Sequence, residues 1–363
     1  MSHFRLPKLS FPNLELFGSF LAAAFFLAGK GGAARRIRYG AKTREQPQPA
    51  AWASDVIERL PARDLGKLAV ESSMLNALSV DVEDYYQVSA FESVVRFEEW
   101  GRRESRVEWN THRVLDLLDE YNVKATFFVL GWVAERNSTL VRIISKRGHE
   151  VASHGYAHQL IYTQTPEQFR EETRRAKKIV EDIIGQPIIG YRAASYSITE
   201  KSLWALDILA EEGFQYDSSI FPIRHDRYGI PGHERFFHIL NGNGHRAIAE
   251  VPLSTVRVAG FNFPMAGGGY FRLLPYAVTH LAMLYLNRRE RQPAIFYFHP
   301  WEIDPDQPRI RAGWVSRFRH YTNLGRMEGK LRRLLASFSF APIREVHAAG
   351  LNIPAAGVDT DAA

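Results

Sequence analysis

The chain has 363 residues, 45% of them hydrophobic and 24% charged, an ordinary globular balance and enough length for one large α/β domain. It contains no cysteine, which excludes disulfides, thiolate metal sites and a cysteine nucleophile, so any metal must sit on His, Asp or Glu. The net charge of +6 is modest and basic residues alternate with acidic ones, as in Arg170-Glu171-Glu172-Thr173-Arg174-Arg175, so no aromatic-interleaved basic stripe that argues for nucleic acid is expected, while attraction to anionic polymers or a membrane surface stays open.

The first 70 residues read as a poorly ordered basic extension without chemistry. Its thirteen-residue apolar run, Leu16 to Ala28, is shorter than the ~20 residues that span a bilayer, so no stable transmembrane anchor is expected. Basic residues precede the run and small residues follow it, which fits a weak signal peptide, while Glu15 and an unfocused cleavage region speak for a dispensable extension. Pro47 and Pro49 mark a linker.

From Met74 the pattern changes. "LNALSVDV" reads as a buried parallel strand. Asn110 caps a helix whose apolar positions Val114, Leu117, Leu118 and Tyr121 recur at helical spacing. "KATFFVL" (124–130) is a second strand, a helix opens at Asn137-Ser138 and stops at Gly148, and "HEVASH" (149–154) is a third strand. Pro166 begins a long amphipathic helix to Ile184, followed by strand "IIGYR" (188–192), a helix from Thr199 to about Glu212, and the short strand "FQYDSS". Residues 222–245 read as a loop, 247–254 as a strand, Gly267-Gly268-Gly269 as a flexible turn and 275–288 as a helix. The late strand "AIFYFHP" (294–300) precedes a basic helix from about Asn323 to Ala336. Such alternation argues for a parallel sheet flanked by helices, with ligand chemistry at the carboxyl ends of the strands.

Ionisable residues collect at those ends: Asp81, Glu83 and Asp84; His154 and His158; Arg192; Asp217; His299. His154 and His158, four apart, can offer two imidazoles to a metal, and a catalytic site needs a third ligand and an open position. Along a strand Asp81 and Glu83 point the same way, while Asp84 faces elsewhere unless the strand has ended. Three acids so close repel one another in a dry site unless a cation is present. One can bind metal while another acts as general base, with Arg192 paired to the base. His299 can protonate a leaving group and Asp217 can orient it. The plainer readings are a solvated acidic turn, a structural ion pair and a satisfied core histidine. With no nucleophilic Ser or Cys motif, the set points to metal-assisted hydrolysis of an amide or ester. Tyr85, Tyr86, Tyr156 and Trp301 are candidates to stack on sugar rings, though such aromatics are more often core.

"SVDVEDYYQVSAFE", "SHGYAHQ", "GYRAASYSIT", "YDSSIFP" and "FYFHPWEID", in that order, resemble the polysaccharide deacetylases of carbohydrate esterase family 4. The branch most resembled is that of exopolysaccharide loci linked to exosortase-type sorting. The resemblance covers about Asn76 to Val346. It implies a distorted barrel of the (β/α)7 type over residues 74–346, including a family-specific C-terminal region from about 220, then a tail at 347–363. It implies Asp81 as catalytic base, Arg192 as its brace, His299 as catalytic acid, and His154 and His158 as metal ligands. The family's adjacent aspartates are replaced here by D-V-E-D, so the metal carboxylate is Glu83 by preference and Asp84 as second choice. Ala194 stands where the family carries proline, which loosens the loop that places Arg192. The implied activity is removal of N-acetyl groups from amino sugars of a polysaccharide, with a divalent ion, Zn2+ by preference, in exopolysaccharide biosynthesis. Alternatives are a metal-independent amidase of the allantoinase-like branch and a catalytically silent carbohydrate-binding protein. The expected compartment is the cytoplasm or the periphery of the inner membrane, with export on the weak N-terminal signal as the alternative.

Overall fold

A computed structural model describes residues 74–225, 227–240 and 247–351. The expectations for the N-terminal extension lie outside these residues. Among the described residues no helix is long and apolar enough to cross a membrane.

The main sheet has nine strands: β1 (Leu75–Val82), β2 (Thr126–Val129), β3 (Glu150–Ser153), β4 (Gly190–Tyr191), β5 (Tyr216–Asp217), β6 (His238–Leu240), β7 (Ile248–Glu250), β10 (Ile295–Phe298) and β11 (Ser339–Ala341). Between them β8 (Thr255–Val258) and β9 (Phe261–Pro264) pair as a separate ribbon. The order β10-β1-β2-β3-β4-β5-β7 is parallel throughout, β6 runs antiparallel on β7, and β11 adds to the start of β1. β2 and β3 are buried at every position, the signature of strands covered on both faces. Helices α1 (Val107–Glu120), α2 (Gly131–Arg136), α3 (Ser138–Lys146), α4 (Pro166–Ile184), α5 (Trp204–Glu211), α6 (Gly268–Leu273), α7 (Tyr276–Leu284), α8 (Trp314–Tyr321), α9 (Leu324–Ser337) and α10 (Ile343–Val346) fill the connections.

The two outer parallel strands, β10 and β7, do not pair with each other. The gap between them is closed by the chain leaving β9: the Tyr297 amide donates to the Ala266 carbonyl (2.7 Å), Gly267 bridges to Tyr297, and the Ile295 amide donates to Ser254 Oγ (2.7 Å). This seam makes the closed α/β sheet a distorted barrel, as the resemblance implied. Gly267 has φ 126°, a region left to glycine, and a Cβ there would collide with the Tyr297 carbonyl oxygen.

Several local expectations need correction. Asn110 sits inside α1, buried, rather than capping it; the helix begins at Val107 and its amides are met by Asp84 from the end of β1. The helix after Thr199 starts only at Trp204. The segment 222–245 contains β6, and the glycine run is the tight entry to α6 rather than a flexible turn. The start of α4 agrees, because Thr165 and Gln168 form a reciprocal capping box ahead of Pro166. The tail does not begin at 347: His347 stacks on Phe237 at 4.8 Å and Leu351 joins the hydrophobic core.

Candidate active site

The carboxyl ends of β1, β3, β4 and β10 converge. β1 ends in a tight turn, the Glu83 amide donating to the Asp81 carbonyl (3.1 Å), so Asp81 and Glu83 stay on one side as strand alternation predicts. Both carboxylates are almost completely buried. Glu83 Oε2 lies 2.9 Å from His158 Nε2, and ligand atoms of Glu83, His154 and His158 all fall within 4.8 Å of one another. His158 reaches in from a left-handed backbone, φ 52°, directly after the β3 loop. His154 Nδ1 is 2.8 Å from the Arg192 carbonyl, which can only accept, so Nδ1 carries the hydrogen and Nε2 is left for the site. Burial pulls His154 down to about 4, which keeps the imidazole neutral, the form a metal ligand needs.

Asp84 is not brought into this group. Its Oδ2 accepts from Ser105 Oγ (2.7 Å) and from the Arg106 and Val107 amides (2.9 and 3.2 Å), and its Oδ1 from the Tyr85 amide (3.0 Å). Burial raises its pKa to about 6 against those four donors. The carboxylate is thus spent on the amino end of α1, where the peptide dipoles favour a negative charge.

Arg192 is completely buried under Asp81. Its Nη1 donates to Asp81 Oδ1 (2.7 Å) and Ser79 Oγ (2.8 Å), its Nε to the Ser218 carbonyl (3.1 Å) and its Nη2 to Ser218 Oγ (2.9 Å), with the guanidinium 4.1 Å from the Phe128 ring centre. Ala194 therefore does not leave Arg192 loose: the clamp comes from Ser79 and Ser218. The following Ser195 and Tyr196 both have positive φ (49° and 55°), and this bend brings the Tyr196 hydroxyl to 3.5 Å from Asp81 Oδ2.

His299, at the end of β10, points its Nε2 into the same space, 3.4 Å from Glu83 Oε1 and 4.0 Å from Asp81 Oδ2. Burial disfavours its cation, yet Glu83, Glu302 and Asp81 outweigh that and push it up to about 9. Its partner is not Asp217, as expected, but Glu302, which accepts from both the His299 amide and Nδ1 at 3.0 Å. Glu302 is itself held by buried Arg272 of α6 (2.6 Å), whose remaining donors are taken by the carbonyls of Arg319, His320 and Thr322. Burial pushes the Glu302 carboxyl up, but Arg272 and His299 dominate and hold it at about 2. Trp301 stacks on His299 at 5.1 Å and donates Nε1–H to Glu83 (3.2 Å).

Asp217 works one layer back. It faces Glu250 across the β5–β7 pair and accepts from the Ser219 hydroxyl and amide (2.5 and 3.1 Å). Burial raises Asp217 to about 6 and Glu250 well above the carboxylate range, so this buried pair shares a proton. The turn it fixes carries Ser218, which grips Arg192, and Ser219, whose hydroxyl accepts from the Ala193 amide (2.7 Å). Glu302, Arg272 and Ser218 were absent from the sequence reading. Glu302 alone had a local signal: three residues after His299 and two after Pro300, it has the spacing of a capping acid.

The residues fit a divalent ion. Glu83 Oε2 is buried, and His158 Nε2 lies 2.9 Å from it. A carboxylate oxygen and an imidazole nitrogen at that distance need a cation or a proton between them. Two imidazoles and one carboxylate are a catalytic zinc-type donor set.

Residues 104–216 match the family model described as polysaccharide deacetylase, and residues 218–348 match one described as a domain of unknown function, DUF3473. The peptidoglycan deacetylase of Helicobacter pylori is 32% identical over 108 residues, 30% of this chain and 36% of that one. The chitooligosaccharide deacetylase of a Bradyrhizobium species is 32% identical over 100 residues, 28% and 43% of the two chains. The chain thus spans less than half the length of these curated relatives. Among solved structures, one ascribed to the polysaccharide deacetylases, from Mycobacterium smegmatis, superposes with a TM-score of 0.52 at 18% identity, covering 81% of this chain and 98% of that one. An allantoinase superposes at 0.50 with 14% identity, covering 75% and 89%. These two likenesses speak for the fold alone. The half of the site carrying His299, Glu302 and Arg272 lies in the segment of unknown function, while His154, His158 and Arg192 lie in the other. Residues 104–216 thus resemble the polysaccharide deacetylases.

Proposed function

We propose that this protein hydrolyses the N-acetyl group of amino-sugar units in a polysaccharide, as part of exopolysaccharide biosynthesis. The observation that carries the reading is a single juxtaposition: a cluster of two histidines and one carboxylate, flanked by a separate, arginine-clamped carboxylate and by a histidine held as a cation. Glu83, His154 and His158 would hold a divalent ion, zinc by preference for this nitrogen and oxygen set. Such an ion supplies Lewis-acid polarisation of the acetyl carbonyl and acidifies the attacking water. Asp81, fixed by Arg192, takes a proton from that water as its oxygen bonds to the carbonyl carbon. His299 gives its Nε2 proton to the sugar nitrogen as the C–N bond breaks, leaving acetate and a free amine. Tyr196, beside Asp81, is placed to keep the carboxylate aimed at the water. The role of Glu302 is to hold His299 by its far nitrogen, so that the proton leaves from Nε2.

The test is acetate release from N-acetylglucosamine oligomers by the purified chain. Release that is abolished by chelator, restored by Zn2+ and lost in His154→Ala supports the reading. Activity that survives metal removal would favour the amidase alternative, and tight glycan binding with no release would favour the silent one.

A further inference from the structure

The surface next to the site carries a concentration of charge. Residues 307–327 hold five arginines and no acidic residue, interleaved with Trp314 and Phe318. This bears on the attraction to anionic polymers that the net charge left open. α8 lies on the surface with Trp314 73% and Phe318 54% exposed, four residues apart and so on one face. Arg311, Arg317 and Arg319 are exposed around it, and among the described residues none has an acidic partner. Unpaired arginines beside exposed aromatic rings stand out against other helices, such as α4 and α9, whose arginines pair with glutamates.

The stripe runs into the site at two points. His320, the buried residue that anchors α8, stacks on Trp301 at 4.1 Å, and Trp301 stacks in turn on His299. Arg319 is near enough to act on the hydroxyl of Tyr228, whose ring packs on Tyr196 at 5.9 Å, beside Asp81. From His320 back to Trp314 the helix advances about 9 Å, the scale of a short run of sugar units.

We propose that α8 and the stretch before it bind an anionic part of the glycan chain, so that the substrate carries acidic sugars, of the uronate type, next to the N-acetylated unit that is cleaved. This rests on the deacetylase reading for the site itself. Arginine's planar fork matches a carboxylate, and the exposed aromatic rings offer stacking faces to the sugars between the charges. A lipid surface fits less well, because the apolar face of this eight-residue helix is limited to Trp314, Val315 and Phe318 and adjoins the active site.

The experiment measures binding without turnover, so an inactive chain still answers it. Fluorescence titration of the full chain compares hyaluronan oligosaccharides with neutral chitin oligosaccharides of equal length. At low salt the acidic oligomer is expected to bind at least about tenfold more tightly, an advantage that fades as salt screens the charges. The double variant R311E/R317E loses that advantage, and Trp314→Ala weakens both ligands. R142E/K146E, the same charge change on the exposed face of α3, keeps it. Equal affinity for the two oligomers overturns the proposal, as does an equal loss in R142E/K146E. So does Arg311/Arg317-dependent binding to phosphatidylglycerol-containing vesicles or to single-stranded DNA that exceeds binding to hyaluronan.

Discussion

Glu83 and Asp84 are neighbours of one charge, yet their surroundings assign them opposite jobs, and paired substitutions separate the two. Glu83→Gln removes the only anionic member of the metal cluster while keeping its volume. The expected result is a fall in metal affinity of at least about 100-fold, since even the outer hydrogen-bond partners of metal ligands are worth 10- to 100-fold. Asp84→Ala leaves the cluster intact and strips the start of α1. Loss of a helix cap costs about 1–2 kcal/mol, and stranding the buried Tyr85 amide adds about 1 kcal/mol. The sum is about 2–3 kcal/mol, or a drop in melting temperature of about 6 °C for a domain of this size. Metal content after dialysis against buffered Zn2+, measured by mass spectrometry, and thermal unfolding of chelated protein give the two readings. If Asp84→Ala loses the metal while Glu83→Gln keeps it, or both lose it alike, the division of labour argued from the hydrogen bonds is wrong.

Three further outcomes are expected. Arg192→Lys replaces a fork that spans Ser79, Asp81 and Ser218 by a point charge, and kcat/KM should fall about 100-fold; activity within twofold of wild type would refute the clamp. Glu302→Gln keeps an acceptor for His299 but leaves Arg272 buried without its counter-charge, so kcat should fall about tenfold or more with KM little changed, and stability by about 3 kcal/mol; a rise in KM alone would count against the positioning role. His149 is buried with its Nδ1 accepting from the Ala125 amide, and burial lowers its pKa from 6.5 to about 4. A depressed histidine contributes stability above its unfolded pKa and loses it as pH falls from 6.5 through 4, up to about 3 kcal/mol. His149→Gln should flatten that stretch of the stability–pH curve; an unchanged curve would show that another group controls acid unfolding.

The parallel strands were legible as short apolar runs, several of them ended by ionisable residues, and α4 because Thr165, Pro166 and Gln168 spell out its start. Asp81 and Glu83 sharing a side followed from the pleat alone. What stayed hidden is long-range. Nothing local tells Asp84 that its oxygens will meet amides more than twenty residues on, and nothing near Asp217 says that its partner is Glu250. Arg272 and Glu302 are thirty residues apart and become a pair only because α6 enters sharply at Gly267. β6 and the β8–β9 ribbon were missed because their positions are only partly buried and so lack the continuous apolar run of the parallel strands.

The seam at Gly267 gives the molecule a weakest stave. Five of the seven staves pair with both neighbours, whereas β7 and β10 face each other unpaired, and β10, which leads into His299, leans on the far side through a few hydrogen bonds and one residue that tolerates no side chain. His154 and His158 follow β3, which pairs with β2 over four residues and with β4 at Ser153, away from the seam. Slackening the seam, as Gly267→Ala would do, therefore displaces His299 before it disturbs the cluster of Glu83, His154 and His158.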